Sequence, residues 1–466
     1  MPPAAGDRGG ESVREVGPGT AASVEEAQGA RRGEHLRQEP PREEAHPPVP
    51  PVPVLDPEHH LVLARVHGGR QGPRGRSRVT IIRARVGRSR TLLVLGAAWL
   101  AWIWVVAAVS DRTWPWLEGP HNWSYDVERR ATPLTRWDSG WYVGIAEGGY
   151  EAPPTRVGQE TNHAFFPLYP LLMRGLSRGL GIETSLAGNL VSGTAFLLAL
   201  LLFGGWVERH HGRERVLPAA AVLLLFPTSL FFAAVYTESL VLLLALATVV
   251  ALERGRLVPA LLAGYLSGLT RISGVVLSPY AFLVSLRESR ARGPLRASAW
   301  ARATAAALAP LAGFGTFCLY HTFRFGDPLL FVRAQHNWAK SEKTILDGPV
   351  LIWNTIVEDV ATGRVFHKSP ARTLEGVFLL LFFVLAFVLL RQRRWAEAVF
   401  VGGSCLLVVF TGTLESAGRY VLPAFPGFAV LAGLPLAKRL RVPAIAAALL
   451  VQAAYVFVFV HWLWVG

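Results

Sequence analysis

The stretch "TRWDSGWYVGIAEGGY" (residues 135–150) lies between two long apolar runs, too polar to cross a bilayer and too aromatic to be a linker. It sets Asp138 between Trp137 and Trp141, with Tyr142 next along. An Asp in a loop is ordinarily solvated and inert. Between indoles near a membrane surface it is expected to lose part of its water and to suit the role of accepting a proton from a hydroxyl. Which side of a membrane carries this stretch decides the reading of both fold and function, so the rest of the chain has to supply the orientation.

Apolar residues make up 51% of the chain, and its mean hydropathy is +0.33. Roughly the first ninety residues are polar, so the remainder is far more apolar than a soluble domain. The expected class is an all-α polytopic membrane protein. Residues 1–90 are rich in Pro, Gly, Glu and Arg, include "HPPVPPVPVLDP", and lack a sustained hydrophobic period. Such a segment cannot bury enough surface to offset its ordering entropy, and it reads as a disordered cytoplasmic tail ahead of a membrane domain at 91–466. A cleavable signal peptide is not expected, because the first apolar run starts only near residue 91 and is long enough to span. The net charge of +14 would point to nucleic acid in a soluble chain. Here Arg concentrates in the tail and in short loops, where it sets orientation, so no nucleic-acid partner is expected. Cys318 and Cys405 lie inside apolar runs and define neither a disulfide framework nor a metal site.

A spanning helix needs about 20 apolar residues. Runs that reach or approach this length are 91–110, 184–207, 217–234, 236–252, 257–270, 274–286, 301–320, 374–390, 395–412, 420–437 and 442–464. They give about eleven segments, with 257–286 short enough to be a broken or re-entrant pair. With "RSRVTIIRARVGRSR" placed inside, "ERHHGRER", "ERGR", "RESRARGPLR", "RQRR" and "KRLR" all fall on the same side, as the positive-inside rule requires. The opposite face receives a large first loop, about 111–178, and a second, about 321–373. The quoted stretch therefore faces outward.

That outer face collects the residues hydrophobicity leaves unexplained. Arg271 in "GYLSGLTRISG" and Arg419 in "LESAGRYVLPAFPGF" sit at outer tips of apolar runs, where the orientation rule disfavours cations. Their planar forks match phosphate oxygens, although snorkelling to the interface accounts for either one alone. Glu238 in "FPTSLFFAAVYTESL" is at another outer end, placed to pair with one of these arginines or to contact a sugar hydroxyl. Asp126 and Glu147 are secondary carboxylates. Trp141, Tyr142, His163, Gln335 and Trp338 join Glu238 as candidates for sugar and acceptor contacts. No metal-ligand spacing, Walker motif or dinucleotide glycine fingerprint is present in the sequence. A base (Asp138, supported by Trp137), cations for a phosphate (Arg271, Arg419), aromatics for sugar rings and a bilayer for a lipid tail together describe glycosyl transfer from a lipid-linked sugar phosphate.

The pieces "RWDSGWYVGIAEGGY", "AFFPLYPLL", "FPTSLFFAAVYTESL", "GLTRISG", "QHNW" and "GRYVLPAFPGF", in that order, resemble the PIG-V type mannosyltransferases, a branch of the polytopic GT-C glycosyltransferases. The resemblance implies a GT-C fold, an outward catalytic loop centred on Trp137 and Asp138, and a polyprenyl-phosphate mannose donor acting on a lipid or glycan acceptor. Eukaryotic members add mannose to the GPI precursor. The Ala-, Arg- and Gly-heavy composition resembles bacterial members, for which a plasma-membrane site replaces the endoplasmic reticulum. Many GT-C enzymes hold a divalent cation between two acidic residues; "WDSG" offers one, which leaves a divalent cation open and no other cofactor expected. Transfer of another sugar, such as arabinose or glucose, is the alternative, followed by lipid or sugar transport. Transporters, however, set ionisable residues at the bilayer midplane rather than at helix ends.

Overall fold

The computed structural model describes residues 78–117, 132–155, 159–339, 347–363, 370–435 and 438–463. Asp126 and residues 1–77 of the stretch read as a tail, 1–90, lie outside them; residues 78–90 of that stretch are helical and open α1. The described residues form an all-helical bundle: α1 (Arg78–Thr113), α2 (Ser139–Gly148), α3 (Leu168–Leu180), α4 (Thr184–His211), α5 (Val216–Leu225), α6 (Glu238–Glu253), α7 (Leu257–Gly268), α8 (Leu277–Ala291), α9 (Ala297–Phe325), α10 (Leu330–Ala339), α11 (Gly348–Ala361), α12 (Pro370–Arg391), α13 (Trp395–Thr411), α14 (Ala417–Val421), α15 (Phe425–Leu431) and α16 (Arg441–Val460).

Each of the apolar runs contains helix, and among the described residues five stretches are long and apolar enough to cross a membrane: Gly87–Thr113, Thr184–His211, Ala297–Phe325, Arg372–Arg391 and Arg441–Val460. The remaining runs are shorter or interrupted, and the interruptions have local causes. Pro227 follows Phe226, which takes extended dihedrals, so α5 stops and the chain passes through a 3₁₀ turn, Pro227–Phe232, before α6. That break makes Glu238 the first residue of α6, where a carboxylate complements the helix dipole. Pro423 and Pro426 likewise divide run 420–437 into α14 and α15.

With little hydrophobic force between helices in lipid, close packing depends on small residues. A Cβ at Gly313 of α9 would stand 1.9 Å from the Tyr265 carbonyl of α7, and one at Gly268 1.9 Å from the Pro310 carbonyl. The two backbones touch, and this crossing positions the 268–276 turn that carries Arg271. A core of buried aromatics, including Phe196, Phe203, Phe231, Phe232, Phe382 and Phe428, holds α4, α12 and the interrupted segments together.

Candidate active site

The loop ahead of α2 is held from beneath by Arg136, which is 1% exposed. Its Nη2 donates to Asp111 Oδ1 at 2.7 Å and its Nε to the Val460 carbonyl at 3.0 Å, tying the loop to the ends of α1 and α16. Nη1 donates to the carbonyls of Thr132 and Thr135. The guanidinium lies 5.2 Å from the ring of Trp116 and 5.4 Å from that of Trp462. A planar cation between indoles gains both hydrogen bonds and cation–π attraction. Above this anchor the chain turns sharply: Trp137 has φ +56°, a left-handed conformation uncommon for a bulky residue. Its ring packs 6.0 Å from Trp462. Asp138 follows at the N-terminus of α2, and Arg174 of α3 caps the far end by donating to the Ala146 and Ile145 carbonyls at 2.6 and 2.9 Å.

Asp138 meets its partner from the distant part of the chain. Arg419 Nη1 donates to Asp138 Oδ2 at 2.9 Å, with the side chains 5% and 16% exposed. Arg419 Nε lies 3.2 Å from Glu238 Oε1, and Arg271 Nη1 donates to that same oxygen. The result is an alternating row, Asp138–Arg419–Glu238–Arg271, whose two positive and two negative charges cancel. Aromatic faces cover the cations: Arg271 lies over Tyr420 at 4.2 Å, and Arg419 over Tyr236 and Phe231 at 4.7 and 5.1 Å. The Tyr236 hydroxyl donates to the Arg136 carbonyl at 3.2 Å, so the wall of the row and the loop anchor are one assembly.

Arg419 is itself positioned from behind. Glu375, 2% exposed on the first turns of α12, accepts the Gly418 N–H, and Thr228 Oγ1 donates to the Gly418 carbonyl at 3.0 Å. A Cβ at Gly418 would meet Thr228 Cγ2 at 2.7 Å and Phe378 at 3.0 Å, so the close approach requires glycine. Ser416, φ +67°, turns the chain into α14.

A separate group surrounds His163. The turn Asn162–Ala164 is pinned to the end of α2 by Asn162, whose Nδ2 donates to the Gly149 carbonyl and whose Oδ1 accepts the Glu151 N–H. His163 Nδ1 lies 3.3 Å from Nε2 of His321 in α9, both imidazoles being fully buried. Tyr150 stacks on His163 at 5.7 Å and donates to the Phe165 carbonyl at 2.7 Å. Burial pushes the His163 imidazole below its usual value and the Tyr142 hydroxyl above its own.

Residues 118–290, which carry Asp138, Glu238 and Arg271, match the family model "Mannosyltransferase (PIG-V)". Over this segment the chain is similar to the PIG-V family. The chain is 33% identical over 182 residues to the GPI alpha-1,6-mannosyltransferase 2 of Mus musculus, a match covering 36% of this chain and 34% of that protein. It is 34% identical over 161 residues to the enzyme of the same name from Homo sapiens, covering 32% and 31%. The match thus spans about a third of the length of these relatives. A crystal structure of the Archaeoglobus fulgidus oligosaccharyltransferase in the apo form aligns with TM-score 0.42 and 11% identity, over 80% of this chain and 56% of that one.

Within and beyond the matched segment, the structure brings four of the sequence-derived candidates, Asp138, Arg419, Glu238 and Arg271, into one row, with Trp137 and Tyr142 against it. Tyr142 is buried, packed edge-to-face on Phe165, Tyr169 and Tyr236 at 5.1, 5.3 and 6.4 Å, so it is part of the wall behind the row. Half-buried Trp141 stacks on Phe165 at 6.0 Å. His163 belongs to the second group, and Gln335 is exposed on α10, which packs on the turn holding His163. The Trp338 side chain lies outside the described residues. Glu375, Arg136 and Tyr236 were missed. Glu375 carried a signal, a lone carboxylate at the head of an apolar run, but that is also where an ordinary interfacial charge sits.

Proposed function

We propose that this chain is a multi-pass membrane glycosyltransferase that transfers mannose from a polyprenyl-phosphate mannose to a hydroxyl of a lipid-linked glycan or another extracytoplasmic acceptor. The observation that carries the reading is the neutral carboxylate–guanidinium row that ends in Asp138, three of whose four members lie in the segment matching the PIG-V model. The acceptor hydroxyl attacks the anomeric carbon, and Asp138 takes its proton as the new glycosidic bond forms. The bond from that carbon to the lipid phosphate breaks on the opposite face, which inverts the centre. The departing phosphate draws on the guanidiniums of Arg271 and Arg419. A single carboxylate suffices because the phosphate leaves without protonation, whereas glycoside hydrolysis needs a pair. Among the described residues no group of three or more His, Cys, Asp and Glu could hold a metal ion, and Asp138 and Glu238 both face guanidiniums. Accordingly, no step is routed through a divalent cation.

The cationic loops support an orientation in which the row faces outward, on the side opposite those loops, and the composition supports a bacterial plasma membrane. The test is transfer of labelled mannose in membranes containing the full chain, with prenyl-phosphate mannose and GDP-mannose supplied in parallel. The lipid donor should label product without a coupling synthase. Asp138→Asn keeps the shape and removes the base, so turnover should fall about 10²- to 10⁴-fold with the protein still folded in the membrane. Near-normal turnover in that variant would reject Asp138 as base.

A further inference from the structure

The other end of α6 carries a second polar centre. Glu238 and Glu253 are the first and last residues of this helix, and at 1.5 Å per residue they stand about 22 Å apart. Glu253 is 4% exposed and is matched by Arg209 Nη1 at 3.2 Å, His210 Nε2 at 2.8 Å and Arg287 Nη2 at 3.3 Å. Beside it a cavity of about 570 Å³ opens where α1, α4 and α6 meet. Three arginines reach it, Arg88, Arg209 and Arg254, above a floor of leucine and valine side chains from several helices.

The lining is supplied with donors beyond its internal pairs. Arg88 is taken by Glu208 at 2.5 Å, and Arg209 by Glu253. Arg254 is exposed and has no carboxylate partner among the described residues. Trp206, 1% exposed, presents an indole N–H with no acceptor among them. Gly205 also lines the space, and a Cβ added there meets no atom within 4 Å, so the cavity stays open at a point where a larger residue would project.

Cations and an unmatched N–H select an anion, and Arg in particular fits phosphate oxygens. The apolar floor gives a free anion nothing to bury. It suits a phosphate that arrives with acyl chains, and at this level α1 exposes Val94 at 67%, with Leu93 and Leu95 at 39% each. We propose that this cavity holds the phosphate headgroup of an anionic phospholipid, its chains lying along α1, at the end of the bundle opposite the Asp138 row. Basic pockets between spanning helices are where such headgroups lodge.

The test uses the purified full chain in mixed micelles. Native mass spectrometry counts retained lipid, and thermal unfolding follows titration with phosphatidylglycerol, with phosphatidylcholine of the same acyl chains, or with inorganic phosphate. Phosphatidylglycerol should be retained and should raise the midpoint, while the other two should do neither. Gly205→Trp fills the space and leaves every charge in place; Arg254→Gln removes the unpartnered cation. Each should weaken phosphatidylglycerol roughly tenfold or more, about 1.4 kcal/mol or more. An equal response to phosphatidylcholine, an equal response to inorganic phosphate at matched concentration, or an undiminished response in folded Gly205→Trp overturns the proposal. None of these outcomes depends on catalytic turnover.

Discussion

Glu238→Gln is the most informative perturbation of the row, because one oxygen of Glu238 serves two guanidiniums. Its side chain is 1% exposed, and those of Arg271 and Arg419 are 11% and 5% exposed. The amide keeps the shape and a hydrogen-bond acceptor while deleting the negative charge. Arg419 retains Asp138; Arg271 is left with no carboxylate among the described residues. Both guanidiniums touch the same oxygen, so their charges stand about 6 Å apart, and at an effective dielectric of about 20 they repel by roughly 3 kcal/mol once the group between them is neutral. Breaking a buried pair costs about 3–5 kcal/mol, and the partial exposure of Arg271 argues for the lower end of that range. The double variant Glu238→Gln with Arg271→Gln removes the stranded cation and should recover about 2 kcal/mol relative to the sum of the single costs. The assay is a double-mutant cycle on purified protein, unfolded reversibly in mixed detergent micelles, with donor KM measured on the same samples. The double variant should regain stability without regaining donor affinity, because Arg271 is assigned to the lipid phosphate. Single costs that add to within about 0.5 kcal/mol would refute the shared-carboxylate argument. Wild-type donor KM in the stable double variant would remove Arg271 from the donor site.

Glu375→Ala takes the acceptor from the Gly418 N–H and should cost about 1–3 kcal/mol. It should also raise donor KM through displacement of Arg419, with Glu375→Gln restoring both because its amide oxygen still accepts; an unchanged KM in the alanine variant would make Glu375 a packing residue only. The His163 imidazole is held below its usual value by burial, so the unfolded chain takes up a proton that the folded one refuses. Stability should therefore be fully present at neutral pH and fall as pH drops below about 6.5, by up to roughly 1.4 kcal/mol per pH unit for one proton. Thermal midpoints measured from pH 7.5 to 5.5 on the wild-type chain and on His163→Gln check this, and parallel curves would count against it.

Glu238, Arg271 and Arg419 were legible because each is a charge at the edge of an apolar run, a position that composition makes conspicuous, and Asp138 because it stands between indoles. Their pairing was not. Arg419 and Asp138 are 281 residues apart in sequence, and Arg271 and Glu238 are 33 apart; no local pattern records which cation meets which carboxylate. The helix breaks at Pro227, Pro423 and Pro426 could be read from the sequence as proline positions, yet a hydropathy run merges the pieces across them. Arg136 shows the converse failure. It adjoins the most conspicuous tryptophan in the chain, but its task depends on Asp111 and on a carbonyl near the end of α16, neither of which marks it. The same row also bears on the two arginines that the sequence reading put on the disfavoured face. Arg271 and Arg419 arrive with Glu238 and Asp138, so the row itself adds no net charge. At the Glu253 end, Glu253 and Glu397 are shared among Arg209, Arg287 and Arg394, with His210 beside them, so cations there exceed carboxylates. The rule counts Lys and Arg and gives Asp and Glu little weight, so the pairing does not change that count; it offsets the cost of burying each guanidinium, and such buried pairs are to be sought where an arginine interrupts or borders an apolar run.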